Sequence, residues 1–243
     1  MSICSASHCQ LCYDKVKFHA KYTQWVCMSV SILNQIFPTR QLVLASNNQG
    51  KLAEFKQLFE QANLEITVIP QGQLGIEDAV EDGLSFIENA LIKARHASRI
   101  SGLPAIADDS GLCVPILGGQ PGIYSARFAQ DEASFSQYKD LANNQKLLRL
   151  LERHRHTTEP IIGQFVCVLA LVRHAEDPLP IIAQGIWQGE ILPAPQGELG
   201  FGYDPLFWVP SVQKSAAEMQ KSDKNRISHR GQAMQQLLMQ LIK

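Results

Sequence analysis

The stretch Ala105-Ile106-Ala107-Asp108-Asp109-Ser110-Gly111-Leu112 places two adjacent carboxylates directly after three small apolar residues. The apolar residues predict a short buried strand that ends at Asp108 and Asp109. Because side chains alternate along extended backbone, we expect the two carboxylates to point in different directions. Carboxylates at a strand end need a positive partner, and Mg²⁺ prefers hard oxygen ligands. The stretch therefore predicts a metal site or, since Asp, Ser and Gly are common turn residues, an ordinary polar turn.

The composition of the 243-residue chain, with 45% hydrophobic and 19% charged residues, is ordinary for a globular protein of one large or two small domains. A net charge of −1 gives no bulk field that favours nucleic acid or an anionic membrane as partner. No apolar run approaches the roughly 20 residues that a membrane span needs. The cysteine pattern is not that of a secreted disulfide framework, so we expect a reducing, cytoplasmic compartment.

Residues 1–40 differ from the rest, and we predict that they form an extension outside a domain spanning 41–243. Cys9 and Cys12 have Cys-x-x-Cys spacing, but the surrounding pattern matches no standard zinc site. A mixed apolar run resembles a signal peptide without a cleavage site. We interpret the segment as dispensable and as disordered or not native, with translation starting at Met28 or a nearby position.

A polar loop, Ser46-Asn47-Asn48-Gln49-Gly50-Lys51, follows a predicted buried strand at 42–45 and precedes a predicted amphipathic helix. Such a loop aims backbone N–H groups and a helix N-terminus at one point, which favours an anion. Lys51 adds a point charge for phosphate, although the loop lacks the Walker spacing. The same unit also occurs in proteins without a ligand.

A second helix is predicted from the capping box Ser85-Phe86-Ile87-Glu88 to about Ser101, after an acidic loop that includes Glu81. Lys93 lies on a face adjoining the apolar one, where a surface lysine is the usual interpretation. The residues predicted to form the buried face of this helix are Leu84, Ile87, Leu91, Ala94 and Ser98.

Further along, the pattern predicts a helix from Ser134 to about Leu151 and then a hairpin of the strands 164–173 and 181–191. Strands and helices alternate before the hairpin, so we predict an α/β fold with a mixed sheet. The motifs lie at element edges, where α/β sheets usually bind ligands.

Two segments near the C-terminus carry further candidate binding residues. In Phe201-Gly202-Tyr203-Asp204 an aromatic ring beside a glycine suits a nucleobase, or alternatively a tight turn in the core. Lys224, His229 and Arg230 come just before the last predicted helix, where cations oppose the helix dipole unless an anion is bound among them. A solubilising charged segment is the alternative. Acidic, basic and aromatic sets together fit a nucleotide polyphosphate with Mg²⁺.

Six motifs stand in order along the chain: Ser46-x-Asn48-x-x-Lys51, Phe86-Ile87-Glu88-Asn89-Ala90, Ala107-Asp108-Asp109-Ser110-Gly111-Leu112, Pro121-Gly122-x-x-Ser125-Ala126-Arg127, Gly200-Phe201-Gly202-Tyr203-Asp204-Pro205 and Ser228-His229-Arg230. Together they closely resemble the inosine/xanthosine triphosphate pyrophosphatase family. The resemblance implies a central mixed β-sheet flanked by helices, with two lobes and the active-site cleft between them. It also implies a homodimer and Mg²⁺-dependent hydrolysis of ITP, dITP and XTP to the monophosphate and pyrophosphate.

The resemblance also implies roles for individual residues. Asp109 would be the general base and a metal ligand, and Asp108 and Glu81 would support the metal or the attacking water. The loop 46–51, with Lys51, would bind the triphosphate. Lys93 and Ser110 would contact the phosphate or the metal-bound water. Phe201 to Asp204 would hold the base and sugar, with Phe201 stacking. The base and its 6-oxo edge would be reached by Lys224, His229 and Arg230.

Two other functions remain open from the sequence. One is a nucleotide pyrophosphatase acting on dTTP or UTP, as in the similar Maf-like family. The other is a nucleotide sensor without catalysis, against which the adjacent carboxylates argue because a sensor needs no base beside a metal. Metal-dependent pyrophosphate release from ITP would separate these alternatives.

Overall fold

The computed structural model of the protein describes residues 36–132, 135–155 and 159–242. Within these ranges the strands are β1 (Gln41–Leu44), β2 (Thr67–Pro70), β3 (Ala105–Cys113), β4 (Ile162–Val172), β5 (Ile181–Ile191), β6 (Phe207–Val209) and β7 (Lys214–Ser215). They form one sheet in the order β2-β1-β3-β4-β5-β6-β7. β1 runs parallel to β2 and β3, and the other neighbouring pairs are antiparallel. The predicted mixed sheet is confirmed.

The α-helices of the described chain flank both faces of this sheet. They are α1 (Gln49–Gln61), α2 (Phe86–Ser101), α3 (Lys139–Glu152), α4 (Lys221–Ile227) and α5 (His229–Leu241). α1 and α5 pack on one face through side chains such as Phe55 and Leu237. α2 packs on the opposite face through Ala94 and its neighbours. A further cluster, which includes Leu147 of α3 and Phe207, fills the core towards β6.

The strand β3 continues through both carboxylates, whereas the sequence predicts that it ends at them. β3 pairs with β4 along its whole length, with Asp108 opposite Leu169 and Asp109 opposite Val168. The ladder of hydrogen bonds to a long apolar neighbour therefore outweighs the local preference of Asp, Ser and Gly for turns. The alternative of an ordinary polar turn is wrong.

The buried face of α2 differs in part from the predicted one, since Ala94 and Ser98 are buried as predicted but two of the larger side chains are not. Leu84 is 85% exposed and Ile87 is 41% exposed, whereas Ala90, Ala94 and Ala97 are fully buried. Three alanines on one side allow the helix to approach the sheet closely, and this close packing decides which face is buried. The predicted cap is confirmed, since the Ser85 hydroxyl accepts a hydrogen bond from the backbone N–H of Glu88.

The described part of the predicted extension 1–40 packs against the domain. Ile36 and Phe37 belong to the cluster beneath α1 and α5, and Phe37 is fully buried. Residues 1–35, with the predicted start at Met28 and the Cys-x-x-Cys pair, lie outside the described residues. In the part of the chain that the structure describes, no helix has both the length and the apolar character for a membrane span.

Asp177 stabilises the turn between β4 and β5. Its buried carboxylate accepts hydrogen bonds from the backbone N–H groups of Arg173 and Leu179, each at 2.9 Å, and from the Arg173 side chain. The bond from the Arg173 side chain outweighs burial and holds the pKa of Asp177 below its usual range. Stabilisation by this carboxylate is therefore complete above the ordinary Asp pKa of 3.8 and is lost as the pH falls through the lower folded value.

We expect Asp177→Ala to lower the free energy of unfolding at pH 7 by about 1–3 kcal/mol, because it leaves buried donors unpaired. Urea denaturation would measure the change, with Glu176→Ala, at an exposed neighbouring position, as the control. Equal unfolding midpoints for the two variants would contradict the role assigned to Asp177.

Candidate active site

The two adjacent carboxylates of β3 face opposite sides of the sheet, as their alternation predicts. Asp108 points towards α1 and α5, where it contacts Lys51 and Arg230. Asp109 points towards α2, where it contacts Lys93. One strand thus places two neighbouring anions in two different layers of the fold.

Asp108 is a fully enclosed anion held by two cations. Its Oδ1 lies 2.7 Å from Lys51 Nζ, and its Oδ2 lies 3.1 Å from Arg230 Nη2. The Ser110 hydroxyl donates a longer hydrogen bond of 3.4 Å to Oδ2. Burial would raise the pKa of Asp108, but Lys51 and Arg230 outweigh burial and hold it well below its usual range. Asp108 is therefore charged and unavailable as a base.

Asp109 is a carboxylate with one oxygen unused. Lys93 Nζ donates to its Oδ1 at 2.9 Å and also lies 3.2 Å from Glu81 Oε1. Its Oδ2 is buried without a hydrogen-bond partner among the described residues. Burial raises the pKa of Asp109 despite Lys93, and the charges of Glu81 and Asp108 add to the increase. A carboxylate of this kind is a better proton acceptor than an exposed one.

Lys93 is a site residue and not the surface lysine that its helix position suggests. Its side chain is 14% exposed and bridges Glu81 and Asp109. Burial would lower the pKa of Lys93, but the carboxylates of Asp109 and Asp108 raise it above its ordinary value. Lys93 is therefore a permanent cation between two anions.

The predicted set of three metal ligands is not assembled. Across the described ranges, no group of three His, Cys, Asp or Glu side chains is arranged to hold a metal ion. Asp108 lines the same cavity as Glu81 but pairs with the two cations Lys51 and Arg230. Glu81 and Asp109 lie together around Lys93, and a role of Asp108 in supporting the metal or the attacking water stays a prediction.

Side-chain oxygens fix the polar loop after β1. Ser46 Oγ accepts from the backbone N–H of Asn48, and Asn48 Oδ1 accepts from that of Lys51 as the N-cap of α1. Asn47 Oδ1 accepts from the backbone N–H of Gly72 at 2.7 Å. These bonds hold the loop open beside β3 and aim the helix N-terminus at the space in front of it.

The helix α1 begins earlier than the loop motif suggests. Gln49 and Gly50 form its first turn and are not loop residues. The first N–H groups of a helix have no partner within the helix, so this turn can donate to an anion. Gln49 and Gly50 therefore remain candidates, with their backbone N–H groups as the donors.

A cavity of about 340 Å³ joins these elements. Of the predicted site residues it brings together four residues of the loop 46–51, Lys93, Glu81 and Asp108, whereas Asp109 and the candidates after residue 200 are not among its lining residues. Its lining residues are Ala45, Ser46, Asn47, Asn48, Lys51, Gln71, Asp78, Ala79, Glu81, Lys93 and Asp108. Sequence reasoning missed Gln71, which lies in a short 3₁₀ helix with no motif of its own. It also missed Glu54 of α1, whose Oε2 lies 3.8 Å from Arg230 Nη1.

The aromatic–glycine loop forms a second group of site residues. The Phe201 ring is 67% exposed, and Lys224 Nζ lies 5.3 Å from its centroid. Lys224 also pairs with Asp204, whose Oδ2 accepts from the backbone N–H of Phe201 at 2.9 Å. Tyr203 differs from these, because it is buried and its hydroxyl donates to the backbone oxygen of Ser125. The side chain of Tyr203 thus belongs to the core and only its backbone can face a ligand.

His229 is held as a neutral ring. It stacks on Phe165 with ring centroids 4.9 Å apart and an interplanar angle of 14°. Burial, together with the charges of Arg230 and Lys224, lowers the pKa of His229 to about 3. Its Nδ1 is buried with no hydrogen-bond partner in the described part of the chain. The ring can therefore offer a neutral donor or acceptor to a ligand.

The two groups of residues are joined indirectly. Ser125 accepts the hydroxyl of Tyr203 at its backbone oxygen, and its side chain accepts from the backbone N–H of Leu112 at 2.8 Å. The aromatic loop is thereby connected to β3 just beyond the carboxylates. No local sequence pattern predicts this role for Ser125, although the residue lies in one of the six motifs.

A model of the Ham1 family matches residues 42–240 of the chain. The chain belongs to the Ham1 family. A relative named dITP/XTP pyrophosphatase from Acinetobacter baumannii is 67% identical over 199 residues, which are 82% of this chain and 93% of the relative. A protein of the same name from Ralstonia nicotianae is 54% identical over 83% of this chain and 96% of its own length.

Solved Ham1 structures have the same fold. The structure of a HAM1 protein from Coxiella burnetii matches with a TM-score of 0.76 and 47% identity, covering 83% of this chain and 98% of that one. The Ham1 protein of Staphylococcus aureus matches with a TM-score of 0.71 and 40% identity, covering 83% and 97%. The family resemblance and the mixed α/β architecture predicted from the sequence are both confirmed.

Proposed function

We propose that this Ham1 protein hydrolyses the non-canonical purine nucleotides ITP, dITP and XTP to the monophosphate and pyrophosphate. Such an activity would remove these nucleotides before they are incorporated into nucleic acid. The observation that carries the proposal is the pairing of Lys93 with both Asp109 and Glu81 beside the cavity that Lys51 and its loop line. Support comes from the relatives, which are named dITP/XTP pyrophosphatases.

The residues around Lys93 fit a magnesium ion. Asp109 Oδ2 is buried without a partner in the described ranges, and Glu81 approaches the same lysine. Both are hard oxygen donors of the kind that Mg²⁺ prefers. We therefore assign Asp109 and Glu81 as the residues that would hold Mg²⁺, with Asp108 outside the set. When bound there, the ion would neutralise charge on the phosphate oxygens.

The remaining steps belong to side chains of the protein. Asp109, with its raised pKa, orients a water and takes its proton as the water attacks the α-phosphorus. Lys93 keeps the carboxylate in place through its 2.9 Å contact. Lys51 and the first N–H groups of α1 stabilise the charge on the leaving pyrophosphate.

Base selection is assigned to Phe201, Lys224, His229 and Arg230. The exposed Phe201 ring offers a stacking surface, and Lys224 lies over that ring. A donor from His229 or Arg230 would favour the 6-oxo group of inosine and xanthosine. Adenine carries an amino group at this position and would leave the donor unpaired, which is a strong form of rejection.

We expect Lys224→Ala, His229→Ala and Arg230→Ala each to lower the preference for ITP over ATP by about 10- to 100-fold, because each removes a donor to the base. The ratio of kcat/KM values for the two nucleotides would measure the effect. Arg226→Ala removes an exposed cation from α4 and serves as the matched control. Unchanged ratios in all three variants would place base recognition elsewhere.

The experiment that tests the proposed function is an assay of pyrophosphate release from ITP, dITP, XTP, GTP, ATP, dTTP and UTP, with and without Mg²⁺. We expect release from the first three nucleotides only when Mg²⁺ is present. Preferential release from dTTP or UTP would favour a Maf-like activity. Tight ITP binding without release would favour a nucleotide sensor.

We also propose that residues 41–243 form the pyrophosphatase domain of a cytoplasmic homodimer. Support comes from the family match over residues 42–240. Size-exclusion chromatography with light scattering would give twice the 27.0 kDa chain mass for a dimer. A mass equal to that of one chain at micromolar concentration would contradict this assembly.

A further inference from the structure

We infer that Asp140 and Asn144 of α3 are positioning residues that hold Phe201 as a platform for the nucleobase, an inference that rests on the proposed function. Neither residue belongs to the quoted motifs. Both lie in the first two turns of α3, four positions apart, and therefore point to the same side of the helix.

The two side chains hydrogen-bond to the backbone N–H and to the backbone oxygen of Gly202. Asp140 Oδ2 accepts the backbone N–H of Gly202 at 2.8 Å. Asn144 Nδ2 donates to the backbone oxygen of Gly202 at 3.0 Å. Asn144 is 7% exposed, so its bond is shielded from competing water. The residue that directly follows Phe201 is thus fixed at both its donor and its acceptor.

Phe201 is held from one side only by the segment that follows it, through the bond from its backbone N–H to Asp204 and through Lys224 over its ring. The ring is 67% exposed, and it lies between Gly200 and Gly202, whose φ angles are +82° and +62°. Two glycines give the segment many alternative conformations in the absence of hydrogen bonds. A stacking surface that is ordered before the nucleotide binds loses less conformational entropy on binding. The two hydrogen bonds from α3 to Gly202 contribute that order.

The hydrogen bonds to Gly202 are separate from the part of the site that would bind the phosphates. Within the described chain, the side chains of Asp140 and Asn144 hydrogen-bond to Gly202 and not to the carboxylates of β3, the Lys51 loop or Lys93. Their loss should therefore weaken binding through the base and leave phosphate binding and chemistry unchanged. This separation distinguishes a positioning role from general loosening of the fold.

The test uses Asp140→Ala and Asn144→Ala in the full chain, with ITP as substrate and inorganic tripolyphosphate as an inhibitor without a base. We expect the KM for ITP to rise about 3- to 10-fold in each variant, the range that one lost hydrogen bond gives. The kcat for ITP and the inhibition constant of tripolyphosphate should stay at wild-type values. Asp140→Asn should restore the KM, because its amide oxygen accepts the same bond.

Gln145→Ala, at an exposed position of the same helix, is the matched control and should leave the KM unchanged. An unchanged KM in Asp140→Ala and Asn144→Ala would overturn the inference. A parallel rise in the KM for ITP and in the inhibition constant of tripolyphosphate would also overturn it, since that pattern indicates loosening of the whole site.

A measurement without nucleotide keeps the inference separate from the proposed function. Amide hydrogen exchange at Gly202, followed by NMR, should accelerate in Asp140→Ala and stay unchanged in Gln145→Ala. If the wild-type protein releases no pyrophosphate from ITP, the proposed function fails, and the exchange rate alone then decides whether α3 holds the loop. Equal rates of amide hydrogen exchange at Gly202 in the two variants would refute the positioning role of Asp140.

Discussion

Asp109→Asn is expected to lower kcat for pyrophosphate release from ITP by about 10²- to 10⁴-fold, the usual contribution of a positioned general base. The amide has the shape of the carboxylate but accepts a proton far less readily. Lys93 keeps its second partner, Glu81, at 3.2 Å, so the fold should remain intact. Steady-state assays with saturating Mg²⁺ and ITP would measure kcat, and circular dichroism would confirm folding.

Asp82→Asn provides the control for this change. Asp82 is an exposed neighbour of Glu81, and its substitution removes one negative charge near the site without touching Lys93 or Asp109. Its kcat should stay close to that of the wild type. If Asp109→Asn also turned over ITP at a near-normal rate, Asp109 could not be the base.

Asp108→Asn should lower the free energy of unfolding by about 3–5 kcal/mol in the absence of nucleotide and divalent cations. The substitution leaves Lys51 and Arg230, with side chains 24% and 14% exposed, without the anion that they share. Urea denaturation would measure the loss. In the Asp108→Asn background, Arg230→Met should recover part of the stability, because it removes one of the unpaired cations.

This experiment separates two roles for Asp108. An ion-paired carboxylate that organises Lys51 and Arg230 affects the stability of the metal-free protein. A metal ligand, as the sequence predicts, would leave that stability unchanged and raise the Mg²⁺ concentration needed for activity. The second outcome would contradict the ion-pair role derived from the structure.

The sequence predicts the sheet architecture and a set of candidate site residues. It does not predict which of these side chains contact each other. Apolar periodicity gives the mixed sheet, and period-two alternation gives the opposite directions of Asp108 and Asp109. The length of β3 could not be predicted, because its polar residues favour a turn locally and only the ladder to β4 shows otherwise. Which cation each carboxylate contacts depends on the helix that covers each face of the sheet, and no local pattern determines that.

Other site residues carry too little local signal. The expected burial of the leucine and isoleucine of α2 assigns Lys93 to the surface of the helix. The buried face is in fact alanine-rich, which turns Lys93 towards Asp109. Asn144 acts through a contact 58 positions along the chain, and Glu54 approaches Arg230 from a different helix. Contacts of this kind become visible only once the elements are packed.

The opposite directions of the two carboxylates make the length of β3 intolerant of change. A one-residue insertion or deletion upstream of Asp108, within the strand, would invert the parity of every later position. The proton acceptor would then point at α1 and α5, and its neighbour would point at Lys93. Point substitutions can adjust this site gradually. A one-residue change in the register of β3 instead exchanges the surroundings of Asp108 and Asp109 in a single step.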